Sequence, residues 1–323
     1  MTSPDPLDAA TVTVAAVQAS PVFLDREATV DKAADLIKQA AGLGAQLVAF
    51  PETFVPTYPD WIWRTTPWAD GAARWYDRLV AASVSIPSPA TAVLGSAAKQ
   101  AGAWLSIGGN ELAGATLYNT QLWFSPDGEL AAAHRKLMPT CGERRGWGVW
   151  DGSRLSVLDT AIGRLGGLTC WENYMPLARY ALYSEGIDIY VAPTWDNSDM
   201  WVPTMRHIGK EGRIHVIGVA FCMRGSDIPA DIPGRDELYG GADDWLSEGN
   251  SCIVGPDGEL LAGPLVREED IVTAELDLGR ARRLRRLFDP VGHYARPDVF
   301  QLHVNRQPAA PVVFADPPPP QDT

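Results

Sequence analysis

TVTVAAVQA at residues 11–19 and AQLVAF at residues 45–50 decide how this chain is read, together with what lies between them. The first stretch alternates and is rich in valine, so it predicts a strand. A helix follows. Asp25 is placed to cap it, with Glu27 in its first turn. Val30, Ala33, Ala34, Ile37 and Ala41 recur at helical spacing, and Gly42 and Gly44 stop it. AQLVAF is then a short buried strand running out at Pro51-Glu52.

The same grammar returns later. RLGGLT (164–169) predicts a strand, Pro176 opens a helix that closes near Gly186, and IDIYVAP (187–193) predicts another buried strand ending in Thr194-Trp195-Asp196. Each half also carries a hairpin turn spelled identically, PDGEL at 126–130 and at 256–260. Asp-Gly between apolar strands marks a tight turn. These repeats predict an α/β protein of two similar halves sharing one core, with mixed sheets inside and helices outside. From about Pro308 the composition changes, and PPPP at 317–320 leaves little to bury. We therefore expect one domain over 1–307 and a mobile tail over 308–323.

Composition narrows the function. A net charge of −13 and a pI near 4.8 argue against a nucleic-acid surface, which needs clustered Lys and Arg to meet phosphates, and against an anionic membrane. The opening MTSPDPLDAA has neither a basic nor an apolar secretory region, and no apolar run approaches the ~20 residues that cross a bilayer. A cytoplasmic protein is expected. The cysteines (Cys141, Cys170, Cys222, Cys252) form no CxxC pair and the histidines no HxxxH or HExxH pattern. Neither a disulfide scaffold nor a metal site is expected.

Among the cysteines, Cys170 stands out. It follows a glycine-containing strand and precedes a helix N-terminus, where backbone N–H groups favour a thiolate. Cys222 ends the strand HVIGVAFC with no helix signal after it, Cys252 lies inside a strand, and Cys141 sits in a glycine-rich loop. For a cysteine taken singly, core filling is the commoner role. Glu52 ends a buried strand in AFPETF, where a carboxylate is either paired, exposed or functional. Lys136 lies in the basic run His134-Arg135-Lys136. Such a run is usually a solvated face, yet the apolar Leu-Met-Pro after it lets one basic residue point inward. His134 keeps a Cys–His pair open.

Taken together, FPETF, HRKLMPT and LTCWENY resemble the Glu–Lys–Cys signature of the nitrilase, or carbon–nitrogen hydrolase, superfamily. CWENYMPLARYALYSEG, LYNTQLWFSPDG and FDPVGHYARPDVF are similar to stretches of its true nitrilase branch. The resemblance covers about residues 11–305. It implies a four-layer αββα sandwich with two pseudo-symmetric halves, subunits paired through helices beside the active site, and assembly of such homodimers into higher oligomers or spirals. It also implies a small-molecule nitrile as substrate and no cofactor. By resemblance Glu143 supports the lysine. One departure is visible: where the branch usually has a histidine beside the Glu-Arg pair, this chain reads Cys141-Gly142-Glu143-Arg144.

The chemistry expected is hydrolysis of a nitrile to the carboxylic acid and ammonia. A linear, weakly electrophilic nitrile carbon calls for a soft nucleophile, Cys170. Glu52 serves as general base and acid, and Lys136 with the backbone N–H near Trp171 stabilises the tetrahedral centres. Amide or carbamoyl hydrolysis, or hydrolysis of cyanide, uses the same triad and is the alternative. Tyr58, Trp171 and Trp195 lie within a few residues of motif positions and are expected to line the pocket, although most of the 12 tryptophans should be core.

Overall fold

The computed structural model describes residues 11–309 and residue 312. Alternation in the opening strand separates two cores. Val12, Val14 and Ala16 join one apolar cluster, while Ala15, Val17 and Ala19 join another. In the first half the elements are β1 (Thr11–Gln18), α1 (Arg26–Gly42), β2 (Leu47–Ala49), a one-turn helix α2 (Trp61–Arg64), α3 (Asp70–Ala82) and α4 (Pro89–Ala101). Strands β3 (Trp104–Ala113), β4 (Thr116–Phe124) and β5 (Leu130–Arg135) complete it. The second half comprises β6 (Leu158–Thr160), β7 (Gly163–Gly167), α5 (Pro176–Ser184), β8 (Ile189–Thr194), α6 (Trp201–Gly212) and β9 (His215–Ala220). After these come β10 (Cys222–Arg224), α7 (Arg235–Leu238), β11 (Trp245–Val254), β12 (Leu260–Val266), β13 (Asp270–Asp277) and α8 (Leu278–Arg285).

Two mixed sheets result. The first is six-stranded, in the order β13-β1-β2-β3-β4-β5. The second is seven-stranded, β10-β11-β9-β8-β7-β6 with β12 paired to β11. Parallel pairs β1/β2 and β7/β8 carry crossover helices α1 and α5. Strand β13 leaves the second half and pairs antiparallel along the whole of β1, tying the halves together. Leu47, Ala49, Leu165, Ile189, Val191, Ile217 and Val219 pack between the sheets. Their strand neighbours face outward: Val48 and Phe50 pack with α1 residues Val30, Ala33 and Ile37, and Tyr190, Ala192 and Val216 pack with Leu182 of α5 and Met205 of α6. The expected single core is therefore three apolar layers separating four layers of secondary structure, because strands buried on both faces need a partner on each.

Local expectations hold with small shifts. Asp25 accepts a 3.0 Å hydrogen bond from the Ala28 N–H and caps α1. Ala40 lies on its buried stripe in place of Ala41, and Gly44 takes a left-handed φ of 86° beyond the last turn. The two PDGEL turns are superimposable in their bonding. In each, the glycine (Gly128 φ 87°, Gly258 φ 83°) donates to the carbonyl three residues back, at 2.9 Å. Each turn also sits on a glycine of a helix. A Cβ at Gly95 of α4 would overlap the Gly128 carbonyl oxygen, and one at Gly209 of α6 would lie 2.7 Å from that of Gly255. The proposed tail, apart from residues 308, 309 and 312, lies outside the described residues. Among the described residues no helix is long and apolar enough to cross a membrane.

Candidate active site

Glu52 lies just beyond β2, Lys136 just beyond β5, and Cys170 just beyond β7, so three strand ends from two sheets converge. The Lys136 ammonium donates to Glu52 Oε1 at 2.8 Å and to Glu143 Oε2 at 2.7 Å. One oxygen from each carboxylate and the Cys170 sulfur all lie within 4.8 Å of one another. These three side chains are also the grouping of potential metal ligands among the described residues, but the cation between the two carboxylates is Lys136 itself. All four residues are buried, with Cys170 4% exposed at the floor of a cavity of about 450 Å³. That cavity is walled by Tyr58, Trp63, Thr140, Cys141, Trp171 and Trp195 and opens past Asp196. A larger hollow of about 540 Å³ over α2 and α3 is lined by no nucleophile or carboxylate, only Arg145 among charged groups.

The backbone at this cysteine is unusual. Cys170 has a φ of 53°, a left-handed conformation that L side chains avoid. It opens a single 3-10 turn, Cys170–Tyr174, and α5 begins only at Pro176. Asn173 pins the turn by donating to the carbonyls of Leu168 (2.9 Å) and Cys170 (2.7 Å), and Tyr190 in turn donates to Asn173 at 2.7 Å. The expectation that a helix N-terminus lowers the thiol pKa is thus corrected. Burial pushes the Cys170 thiol well up, the charge of Glu52 adds to it, and Lys136 and the Thr194 hydroxyl pull the other way. A thiolate here would be a further negative charge beside two carboxylates and one ammonium. Burial and the neighbouring carboxylates therefore favour the protonated thiol.

Glu52 is the complementary partner. Burial raises its pKa, and Lys136 opposes that. Its Oε1 also accepts from Asn119 Nδ2 at 2.6 Å and its Oε2 from the Trp195 N–H at 2.9 Å. Thr53, next in sequence, has a φ of 47°, so Glu52 sits beside a left-handed residue where Cys170 is one itself. Burial alone would lower Lys136, but the charges of Glu52 and Glu143 hold it well above the usual lysine value, as an ammonium. Glu143 also accepts from the Thr140 N–H at 2.6 Å and from the Tyr58 hydroxyl at 2.7 Å.

The pocket residues divide. Tyr58 is buried and stacks on Trp195, with centroids 4.7 Å apart and planes 6° apart, so these two form a wall. Trp171 is 52% exposed and stands at the rim, where its indole N–H donates to Asp196 at 3.0 Å. Trp61 packs in the core with Phe23 and Trp75. His134 is not a partner of the thiol: its Nε2 lies 3.0 Å from Glu172 Oε2. Arg135 makes a two-point ion pair with Glu111, at 2.8 and 2.5 Å, between the rings of Tyr118 and Trp150. The whole basic run is therefore buried, where one inward residue was expected. Each cation has its own carboxylate, the condition under which charge tolerates burial. Cys222 and Cys252 are buried thiols pushed up to about 12 by burial, and Cys141 is exposed.

Sequence reasoning missed Asn119, Thr194, Trp63 and Glu172. Trp63 donates to the Tyr58 hydroxyl at 3.0 Å, and a Cβ at Gly142 would lie 3.1 Å from its ring. Glu172 stood in the quoted CWEN motif, and a buried carboxylate two residues from a nucleophile was the available signal. The other three carry no local mark.

Comparison with known proteins agrees with this geometry. The sequence model of one family, described as carbon-nitrogen hydrolase, matches residues 13–286. An aliphatic nitrilase of Sinorhizobium fredii (strain HH103) is 45% identical over 93% of this chain and 97% of its own length. Nitrilase 2 of Arabidopsis thaliana is 43% identical over 92% of this chain and 90% of its own. A bifunctional nitrilase/nitrile hydratase of Oryza sativa subsp. japonica is 43% identical over 95% and 87%. Among solved structures, a carbon-nitrogen hydrolase of Helicobacter pylori G27 has a TM-score of 0.70 at 21% identity over 90% of this chain and 97% of its own. Saccharomyces cerevisiae Nit3 has a TM-score of 0.69 at 21% identity, over 90% and 99%. Both share the four-layer fold.

Proposed function

The chain belongs to the carbon–nitrogen hydrolase family, and on that premise we propose that it is a nitrilase, converting an organic nitrile to the carboxylic acid and ammonia. The observation that carries this reading is the 45% identity to an aliphatic nitrilase over 93% of this chain, and the convergence of Glu52, Lys136 and Cys170 on one buried cluster that floors an aromatic cavity supports it.

The roles follow from the protonation pattern. The Cys170 sulfur attacks the nitrile carbon while its proton passes through Glu52 to the nitrile nitrogen, leaving a thioimidate. Transfer during attack suits a buried thiol and a carboxylate whose pKa is raised, since no second anion is formed. Glu52 then deprotonates a water that adds to the thioimidate. The C–N bond of the tetrahedral centre breaks, ammonia leaves, and a thioester remains. A second water adds, the C–S bond breaks, and the acid departs as the thiol regains its proton. Lys136, held by Glu143, and the backbone N–H near Trp171 stabilise the tetrahedral centres. A break of C–S in place of C–N at the first tetrahedral centre would release the amide. The relatives described as bifunctional nitrilase/nitrile hydratase favour measuring that branch as well.

Ammonia and amide release from a panel of aliphatic nitriles, arylnitriles, arylacetonitriles and cyanide, set against the matching amides, tests the proposal. Turnover of nitriles by the wild type and none by Cys170→Ala is expected; turnover of amides alone would overturn it. Pairing of two copies beside the site is also part of this reading. It is supported by Trp171, Tyr174, Met175 and Leu177, which leave apolar surface exposed around the start of α5.

A further inference from the structure

We propose that Glu172, paired with His134, is a positioning residue that sets the spacing between the Lys136 ammonium and the Cys170 thiol; this rests on the nitrilase reading above. The geometry is specific. Glu172 Oε1 accepts from the Leu137 N–H at 2.7 Å, the peptide that follows Lys136. Its Oε2 accepts from the Thr169 N–H at 2.7 Å, the peptide that precedes Cys170. One carboxylate therefore holds the main chain beside the ammonium and beside the sulfur, one oxygen to each. Lys136 follows an edge strand of the first sheet and Cys170 follows a strand of the second, so this bridge crosses between sheets.

His134 completes the device. Its Nε2 spans both oxygens of Glu172, at 3.2 and 3.0 Å, and its ring is also bonded to the backbone of Arg154. Burial works to lower the His134 pKa, but the Glu172 carboxylate and the Arg154 backbone outweigh it and raise it, which favours the imidazolium. The cation balances a carboxylate that is otherwise enclosed, 1% exposed. Neither side chain lines the cavity. The pair acts through the backbone of its neighbours, and the left-handed Cys170 is the residue most in need of such restraint.

Glu172→Gln tests this directly, because the amide is isosteric yet must present an NH2 group to one of the two N–H donors. The expected result is a folded protein whose kcat falls on the order of 100-fold, the cost of a small misplacement of reacting groups, with KM nearly unchanged. Iodoacetamide alkylation of Cys170, read by mass spectrometry on its own peptide, should also move to higher pH, because the pull of Lys136 on the sulfur is loosened. Wild-type kcat together with a wild-type alkylation profile would overturn the proposal. Where Glu172→Gln does not fold, His134→Gln replaces it: a lowered kcat at constant KM supports the assignment, and unchanged kcat rejects it. Alkylation needs no nitrile. A wild type that turned over no nitrile would remove the proposed function and leave the alkylation comparison to decide the positioning role.

Discussion

The Lys136 ammonium and a carboxylate oxygen of Glu52 lie 2.8 Å apart, although the residues are 84 positions apart in sequence, with three of the first sheet's six strands between them. Both are buried, and Glu143 closes the pair from the other side at 2.7 Å. In the proposed mechanism the cluster stabilises a developing charge, and it is also a liability for folding, since either carboxylate without the ammonium is a buried, uncompensated anion.

Lys136→Met is expected to lower nitrile turnover by about 10²–10³-fold, the usual cost of removing one transition-state stabiliser. It should also destabilise the fold by about 3–5 kcal/mol at neutral pH, by breaking a buried ion pair. With the ammonium gone, Glu52 loses the charge that opposes its raised pKa and takes up a proton more readily, so the penalty shrinks as pH falls. Urea unfolding at pH 5 and pH 8 checks the sign; a penalty that grows on acidification contradicts the assignment.

Tyr58→Phe keeps the stack on Trp195 and deletes the hydroxyl that donates to Glu143 and accepts from Trp63. One hydrogen bond to a charged group is worth about 1.5 kcal/mol, so kcat should drop about tenfold without loss of fold. Steady-state kinetics beside circular dichroism decides it. An unchanged kcat shows that the Tyr58 hydroxyl is dispensable for holding Glu143.

His215 begins β9 in a buried site, and burial lowers its pKa from 6.5 to about 4. Asp277 and Asp257 oppose that shift, while Arg280 and Arg285 reinforce it. The sign is that of a histidine kept neutral by folding: the unfolded chain binds the proton first, so stability is lost as pH falls from 6.5 through about 4. The loss attributable to this group is on the order of 3 kcal/mol. Unfolding free energies of wild type and His215→Gln between pH 4 and 7 should converge toward the acid end. Parallel curves would refute it.

The hairpin turns offer a test of the duplicated architecture. Gly95→Ala places a methyl group against the Gly128 carbonyl inside the first PDGEL turn, and Gly209→Ala places one against the Gly255 carbonyl just before the second. Overpacking against backbone, which cannot swing aside, is expected to cost about 1–3 kcal/mol at each position. Chemical denaturation reads both, and a variant as stable as wild type would show that its turn can lift from the helix.

Thiol reagents should discriminate among the cysteines. Cys141 is exposed and should label quickly, whereas Cys222 and Cys252, buried and pushed up to about 12, should stay unmodified until the protein unfolds. Peptide mass spectrometry on native protein checks the order.

Much of the fold could be read along the chain because burial leaves a local period. The alternation of TVTVAAVQA, the helical spacing after Asp25 and the glycines of the PDGEL turns each depend on neighbours within a few residues, and all reappear in place. The triad was legible for a different reason: Glu52, Lys136 and Cys170 each end a strand inside a motif with its own signature. What tertiary structure decided is which groups meet. Sequence order does not reveal that all three residues of His134-Arg135-Lys136 turn inward, each to a carboxylate 24 to 84 residues away. Nor does it reveal that Asn119 and Thr194 reach Glu52 and Cys170, or that burial raises the thiol where a nearby helix start predicts the reverse. Partnership and dielectric are properties of the packed sheets. They arise only when strands distant in sequence are brought side by side, and no local period records them.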